Sequence, residues 1–229
     1  MTYSEEWNDI YARGEQVNQW PWTDLVSAVK RYCGDIEGWR VLELGCGSVT
    51  NEVSCNSLFF THEGAEYVGL DASFKVYEWI GNAEYGSPTF AKMDFTKELP
   101  EGPFDLIVDR AAVTHNDTKS IRRCLDLAYD ALKPGGWMIG VDWFSTLHTD
   151  RDKGTWHDDY TRRDIPEGQF KGCGIVHFSN FTHLEDLFER FTIIDLCHKQ
   201  KEPSYKPIDD TSTPPECLAS WDIVARRET

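Results

Sequence analysis

The sequence predicts an α/β protein: a mostly parallel sheet with helices on both faces. Three observations carry this. Val41-Leu42-Glu43-Leu44 is a short, mostly apolar run that ends in Gly45-Cys46-Gly47, as a buried parallel strand entering a glycine turn should. Short apolar runs then alternate with stretches of helical spacing as far as Trp143, which implies right-handed crossovers between parallel strands. Finally, Phe191 to His198 and Trp221 to Arg227 read as two successive strands joined by a loop, so the sheet should close in an antiparallel pair.

In chain order, Trp7-Asn8-Asp9-Ile10-Tyr11 starts a short amphipathic segment before Gly14. Pro21 and Thr23 introduce a helix carrying Leu25, Val26 and Val29 that stops at Gly34. The first strand and its glycines follow. Gly45 and Gly47 let the backbone turn sharply and leave no side chain where a ligand must come close. Thr50 and Asn51 are suited to cap the next helix. Tyr67 to Asp71 is the second strand. A carboxylate at its end can accept hydrogen bonds from both hydroxyls of a ribose; capping the following helix is the competing role.

Phe90 to Phe95 reads as a third strand ending in Asp94, and Phe104 to Arg110 as the fourth. The loop Ala111 to Asp117 leads into a helix with Ile121, Cys124, Leu125, Ala128 and Leu132 at helical spacing. Lys133-Pro134-Gly135-Gly136 stops it, and Trp137 to Trp143 is the fifth strand. Ser145 to Gly174 is polar and lacks a clear period. A stretch that long within a compact domain reads as a lid or binding loop. We take residues 145–174 as a substrate-covering insertion in a single domain spanning 1–229. Thr182-His183-Leu184-Glu185 forms a capping box. Leu184, Leu187, Phe188 and Phe191 make the apolar face of the helix it starts. The proline-rich loop Pro203 to Pro215 joins the last two strands.

Composition sets limits on function. The net charge of −16 argues against a nucleic-acid partner, because phosphate contacts need clustered Lys and Arg. No run approaches the ~18 apolar residues of a membrane span, and the acidic, polar start is no signal peptide. The seven scattered cysteines contain no C-x-x-C, so neither a zinc site nor a disulfide framework is expected. A cytoplasmic location fits best; the expected state is a monomer or homodimer, which no feature of the composition decides.

Acid-x-Gly-x-Gly at the end of the first strand, here Glu43 to Gly47, resembles motif I of class I S-adenosylmethionine-dependent methyltransferases. The family's usual third glycine is Val49 here. The resemblance continues through Gly69-Leu70-Asp71-Ala72-Ser73 and through "FDLIVDRAAVTHND…LKPGGWMIGVDW". It covers residues 36 to 145 well and the last two strands loosely. It implies a Rossmann-like fold with a seven-stranded sheet whose last strand is antiparallel. It also implies S-adenosyl-L-methionine as cofactor. By the same resemblance Glu43, Gly45, Cys46 and Gly47 form the cofactor turn. Asp71 and Ala72 would meet the ribose, and Asp94 the adenine amino group between Met93 and Phe95. Asp109 and Arg110 would follow, and Trp7 and Tyr11 would close over the sulfonium, where an aromatic face favours a cation.

Methyl transfer from a sulfonium is an in-line displacement, and positioning can supply much of its rate. A hydroxyl acceptor also benefits from a base. His115, after the fourth strand, is the best candidate, since an unperturbed histidine titrates near ~6.5. A capping or packing role competes with that. Asp142 and His148 are second choices. A metal site could be drawn from His148, Asp150, Asp152, His157 and Asp158, but no spacing there is diagnostic, and no metal is expected. Asp109-Arg110-Ala111-Ala112 stands where amino-methyltransferases of nucleic-acid bases carry Asn/Asp-Pro-Pro-aromatic, so a base amine is not expected. "WNDIYARG" and "DRAAVTHND" resemble methyltransferases of bacterial sugar and surface-polysaccharide biosynthesis. The expected partner is therefore a small-molecule acceptor, O-methylated at a hydroxyl, with a sugar or nucleotide-sugar among the candidates. N-methylation of a small amine, or cofactor binding without catalysis, are the alternatives. A nicotinamide oxidoreductase is disfavoured, since Gly45-x-Gly47-x-x-Thr50 lacks the third glycine.

Overall fold

The computed structural model describes residues 5–16, 18–47, 49–50, 53–73, 88–201 and 216–229. Asn51 and the loop Pro203 to Pro215 fall outside the described residues. Two helices, α1 (Glu6–Ala12) and α2 (Thr23–Tyr32), precede β1 (Arg40–Leu44). Val41, Leu42 and Leu44 are fully buried, because β1 runs between β4 (Glu66–Asp71) and β6 (Phe104–Arg110), parallel to both. Burying each such side chain contributes about 1.5–3 kcal/mol.

The full sheet has seven strands, in the order β11-β12-β7-β6-β1-β4-β5. Here β5 is Thr89–Lys92, β7 is Leu132–Phe144, β11 is Thr192–Lys201 and β12 is Leu218–Arg226. Strands β5, β4, β1, β6 and β7 pair in parallel, while β12 runs antiparallel to both β7 and β11. This is the expected seven-stranded α/β sheet with its last strand antiparallel. The chain winds outward from β1 in one direction and resumes at β6 in the other. That reversal is a topological switch point.

Register fixes what meets there. Leu44 lies opposite Leu70 on one side and Asp109 on the other, and Arg110 lies opposite Val141. The next residues along each strand, Gly45, Asp71, Arg110 and Asp142, therefore emerge side by side at one edge of the sheet. One apolar cluster packs α4 (Thr118–Ala131) and α5 (Phe181–Leu187) on the sheet through Ile121, Leu125, Leu184 and Phe188. Another packs α2 on the opposite face through Leu25 and Val29.

Several sequence expectations are corrected. The glycine turn does not feed a helix capped by Thr50. Residues Val49–Thr50 (β2) pair with Val53–Ser54 (β3) as a short hairpin, and α3 (Ser57–His62) begins later. The short polar side chain that caps a helix also suits a turn. The strand expected to end in Asp94 ends at Lys92. Asp94 instead closes its own turn, accepting from Thr96 N at 3.0 Å and Thr96 Oγ1 at 2.6 Å. The cap of α5 is Asn180, whose side chain accepts from His183 N, rather than Thr182. The segment 145–174 is not structureless. Strands β8 (Thr155–Trp156) and β9 (Thr161–Arg163) join β10 (Ile175–His177) in a separate three-stranded sheet. Phe144, Ile165, Phe170, Val176 and Phe178 form its own apolar cluster.

No helix among the described residues is long and apolar enough to cross a membrane.

Candidate active site

A cavity of about 380 Å³ opens at the switch point, bordered by Gly45, Cys46, Gly47, Asp71, Ala72, Phe95, Arg110, His115, Asp142 and His148. Trp7 and Tyr11, both on α1, also border it. Asn8 holds α1 down by accepting from Ser73 Oγ at 2.7 Å. Of the residues expected around the cofactor, Met93, Asp94 and Asp109 do not border the cavity. Met93 packs against the core. Asp94 is engaged by Thr96 and Lys97. Asp109 is fully buried and holds the loop beneath His115, accepting from the N–H groups of Ala112 and Val113 at 3.0 Å each and from Trp143 Nε1 at 2.6 Å.

The floor is a row of acids made costly by burial. Asp71 accepts from Ser73 N at 2.8 Å and Gly47 N at 3.1 Å, and burial pushes its carboxyl up to about 6. Glu43 is 2% exposed, and burial pushes it up to about 7. It accepts from Tyr67 OH, and from Asn56 Nδ2 at 2.6 Å. Asn56 then accepts from Trp22 N at 3.1 Å. The Trp22 ring carries the Arg110 guanidinium 3.4 Å from its centroid, a cation–π pair. The motif acid Glu43 thus anchors α2 and, through it, the cationic wall. Asn56 and Trp22 gave no sequence signal, because nothing local marks a residue that bridges distant elements.

The three candidate bases differ sharply. Asp142 has its carboxylate fixed by Arg110 Nη2 at 2.6 Å, Lys199 Nζ at 2.7 Å and Ser220 Oγ at 2.9 Å. Burial raises its pKa, but Lys199 and Arg110 more than offset that and hold it below the usual value. An anion so engaged is a poor proton acceptor. His148 accepts from Asp150 N at its Nδ1, so its Nε2 carries the hydrogen that meets Gln169 Oε1 at 3.2 Å. Both of its nitrogens are in use.

His115 is different. Its Nδ1 lies 3.2 Å from the Ile175 carbonyl. A carbonyl only accepts, so the hydrogen is on Nδ1 and the Nε2 lone pair remains. Its ring sits among Trp7, at 4.8 Å between centroids, Phe144 at 5.5 Å and Phe170 at 6.4 Å. Burial lowers its pKa to about 4, so the ring is neutral at pH 7.

The insertion supplies further walls that sequence reasoning had not singled out: Gln169, Phe170 and Cys173. Among the described residues no three His, Cys, Asp or Glu side chains are grouped to hold a metal ion. His157 instead lies 3.3 Å from Asp117.

A methyltransferase-domain family matches residues 15–195 of the chain. A curated relative, the phosphoethanolamine N-methyltransferase of Plasmodium falciparum, is 27% identical over an alignment of 141 residues that covers 59% of this chain and 50% of that protein. The chain thus spans about half the length of that curated relative. Two solved structures show the same fold. An S-adenosylmethionine-dependent methyltransferase from Mesorhizobium loti matches with a TM-score of 0.62 at 19% identity, covering 88% of this chain and 96% of that one. The 1,6-didemethyltoxoflavin-N1-methyltransferase of Burkholderia thailandensis matches with a TM-score of 0.62 at 14% identity, covering 96% and 85%. The glycine turn at the switch point, the seven-stranded order and the family match over most of the chain agree: it belongs to the methyltransferase-domain family, the class I S-adenosylmethionine-dependent methyltransferases.

Proposed function

We propose that the protein transfers a methyl group from S-adenosylmethionine to a hydroxyl of a small polar acceptor, with His115 taking the proton. The residues suit the cofactor. Gly45 and Gly47 leave the turn bare, Asp71 offers a carboxylate to a ribose, and Trp7 and Tyr11 offer ring faces to a sulfonium. The cofactor supplies an activated methyl and a good leaving group. The protein's part is to align the acceptor, exclude water and receive the proton.

The observation that carries the reading is the lone pair on His115 Nε2. A base whose conjugate acid sits near 4 does little for a resting hydroxyl. As the methyl arrives, however, the oxygen becomes an oxonium and its proton strongly acidic. His115 can take that proton in the same step. A methylated amine stays a weak acid and gains nothing from so weak a base. The N-methyl reading is supported instead by the name of the curated relative.

Incubation with S-adenosylmethionine and matched hydroxyl and amine acceptors tests this, with S-adenosylhomocysteine formation as readout. Turnover on amines alone would sink the hydroxyl reading, and no turnover on any acceptor would favour binding without catalysis. We further propose that 145–174 covers the acceptor, since His148, Gln169 and Phe170 border the cavity. Slower hydrogen exchange there, with cofactor and acceptor both present, checks that in the same mixtures.

Asp71→Ala should weaken S-adenosylhomocysteine binding by about 1.5–3 kcal/mol, the worth of a charge-assisted pair. Wild-type affinity should also fall as pH drops through about 6, where the carboxylate protonates. Calorimetry giving equal affinity in the mutant would take Asp71 out of the ribose site.

A further inference from the structure

The cavity does not end at His115. Its wall continues across the sheet onto β12 and β11, where Leu218, Ser220, Lys199 and Lys201 border it. Lys199 and Lys201 are two apart on β11 and so share a face. The ladder sets them opposite Ser220 and Leu218. Arg110 borders the same space from the end of β6. This arm of the cavity thus gathers three cations in a chain whose net charge is −16.

Much of that charge is already balanced. Arg110 donates to Asp142, and Lys199 lies 2.7 Å from both Asp142 and Asp222. What remains is local. Arg110 Nε is buried with no hydrogen-bond partner, and the Asp24 oxygen beyond it is 4.0 Å away. Lys201, unlike Lys199, has no ion pair among the described residues. Lys201 is therefore the unspent donor on the cavity wall, and it fits a ligand that brings acceptors.

Resting on the reading of methyl transfer to a small acceptor, we propose that this acceptor carries an anionic group, a carboxylate or a phosphoryl group. The group is held on the Arg110–Lys199–Lys201 wall, with Lys201 making the direct contact. A hydroxylated acceptor of this kind is oriented by its charge at one end, while its hydroxyl is presented to His115 at the other. The acidic surface elsewhere disfavours anions, so the wall also selects where on the protein such a ligand settles.

The test uses the full chain saturated with S-adenosylhomocysteine, at constant ionic strength. Equilibrium dialysis measures binding of radiolabelled inorganic phosphate and of acetate, with glycerol as the neutral control. At least one anion should bind saturably. Lys201→Gln should weaken it about three- to tenfold, an exposed charged contact being worth less than a buried one. Lys201→Arg should restore it. Tighter phosphate assigns a phosphoryl group, and tighter acetate a carboxylate. No saturable binding, or equal binding by Lys201→Gln and wild type, overturns the proposal. Loss of S-adenosylhomocysteine binding itself would strike the methyl-transfer reading instead, so the two failures are separable.

Discussion

Replacing His115 with alanine is expected to lower kcat about 10²–10⁴-fold, the usual cost of losing a general base. Affinity for S-adenosylhomocysteine should stay within about twofold, because the proposed cofactor contacts lie on Gly45, Gly47 and Asp71. The pH profile gives the more specific signature. Burial holds His115 near 4, so the wild-type kcat, measured at saturating cofactor at each pH, should stay level from pH 8 to about 5. It should then fall as the lone pair is protonated, and that fall should be missing from the mutant's residual rate. The sign for stability runs the same way. A histidine at ~6.5 unfolded and about 4 folded binds fewer protons when folded, so stability is also lost as pH drops between those values. Circular dichroism at each pH separates the two effects. Near-native kcat in the mutant would end the role. Asp142 and His148 would be weak replacements, since their acceptor atoms are already in use.

Gly45→Ala should be the most damaging single change to the glycine turn. Gly45 has φ +69°, a region that side chains rarely adopt, and an added Cβ would lie 2.2 Å from Ala112 Cβ. That contact cannot be relieved by rotating a side chain. Ala112 is held from below, its N–H bonded to the buried Asp109. Overpacking together with backbone strain should cost about 2–4 kcal/mol. Urea denaturation measures this, and the shift in midpoint should be accompanied by loss of S-adenosylhomocysteine binding. A variant with wild-type midpoint and affinity would show that the turn can shift away from the loop after β6.

These two residues also show how far the sequence could be read. Gly45 was legible because a strand, a glycine turn and the strand-end Asp71 follow one another locally, and each has its own pattern. The position of His115 was legible for the same reason, while its chemistry was not. Its tautomer is set by Ile175, 60 residues further on, in a strand of three residues, too short to show a period. Strands β8 and β9, of two and three residues, are likewise too short to mark residues 145–174 as anything but loop. The place of Asp94 after the third strand is legible in the same way as that of His115, while its bonds to Thr96 and Lys97, two and three residues on, carry no pattern of their own. Lys199 and Lys201 look like the solvated face of an edge strand. Only the antiparallel pairing with β12 brings them to the cavity.

The hydrogen bond from His115 to Ile175 joins two sheets that are built separately. The glycine turn, Asp71 and His115 itself belong to the large sheet and its loops, whereas Ile175 belongs to β10 of the small one. The contact takes one partner from the loop after β6 and one from β10, so it exists only where both sheets are in place. A chain with the large sheet complete and the small one undocked would still offer its glycine turn, but its imidazole would be free to choose either tautomer. On the proposed roles of these residues, cofactor affinity reports on one unit of the structure and turnover on the joining of two, and mild denaturing conditions should separate the two readouts.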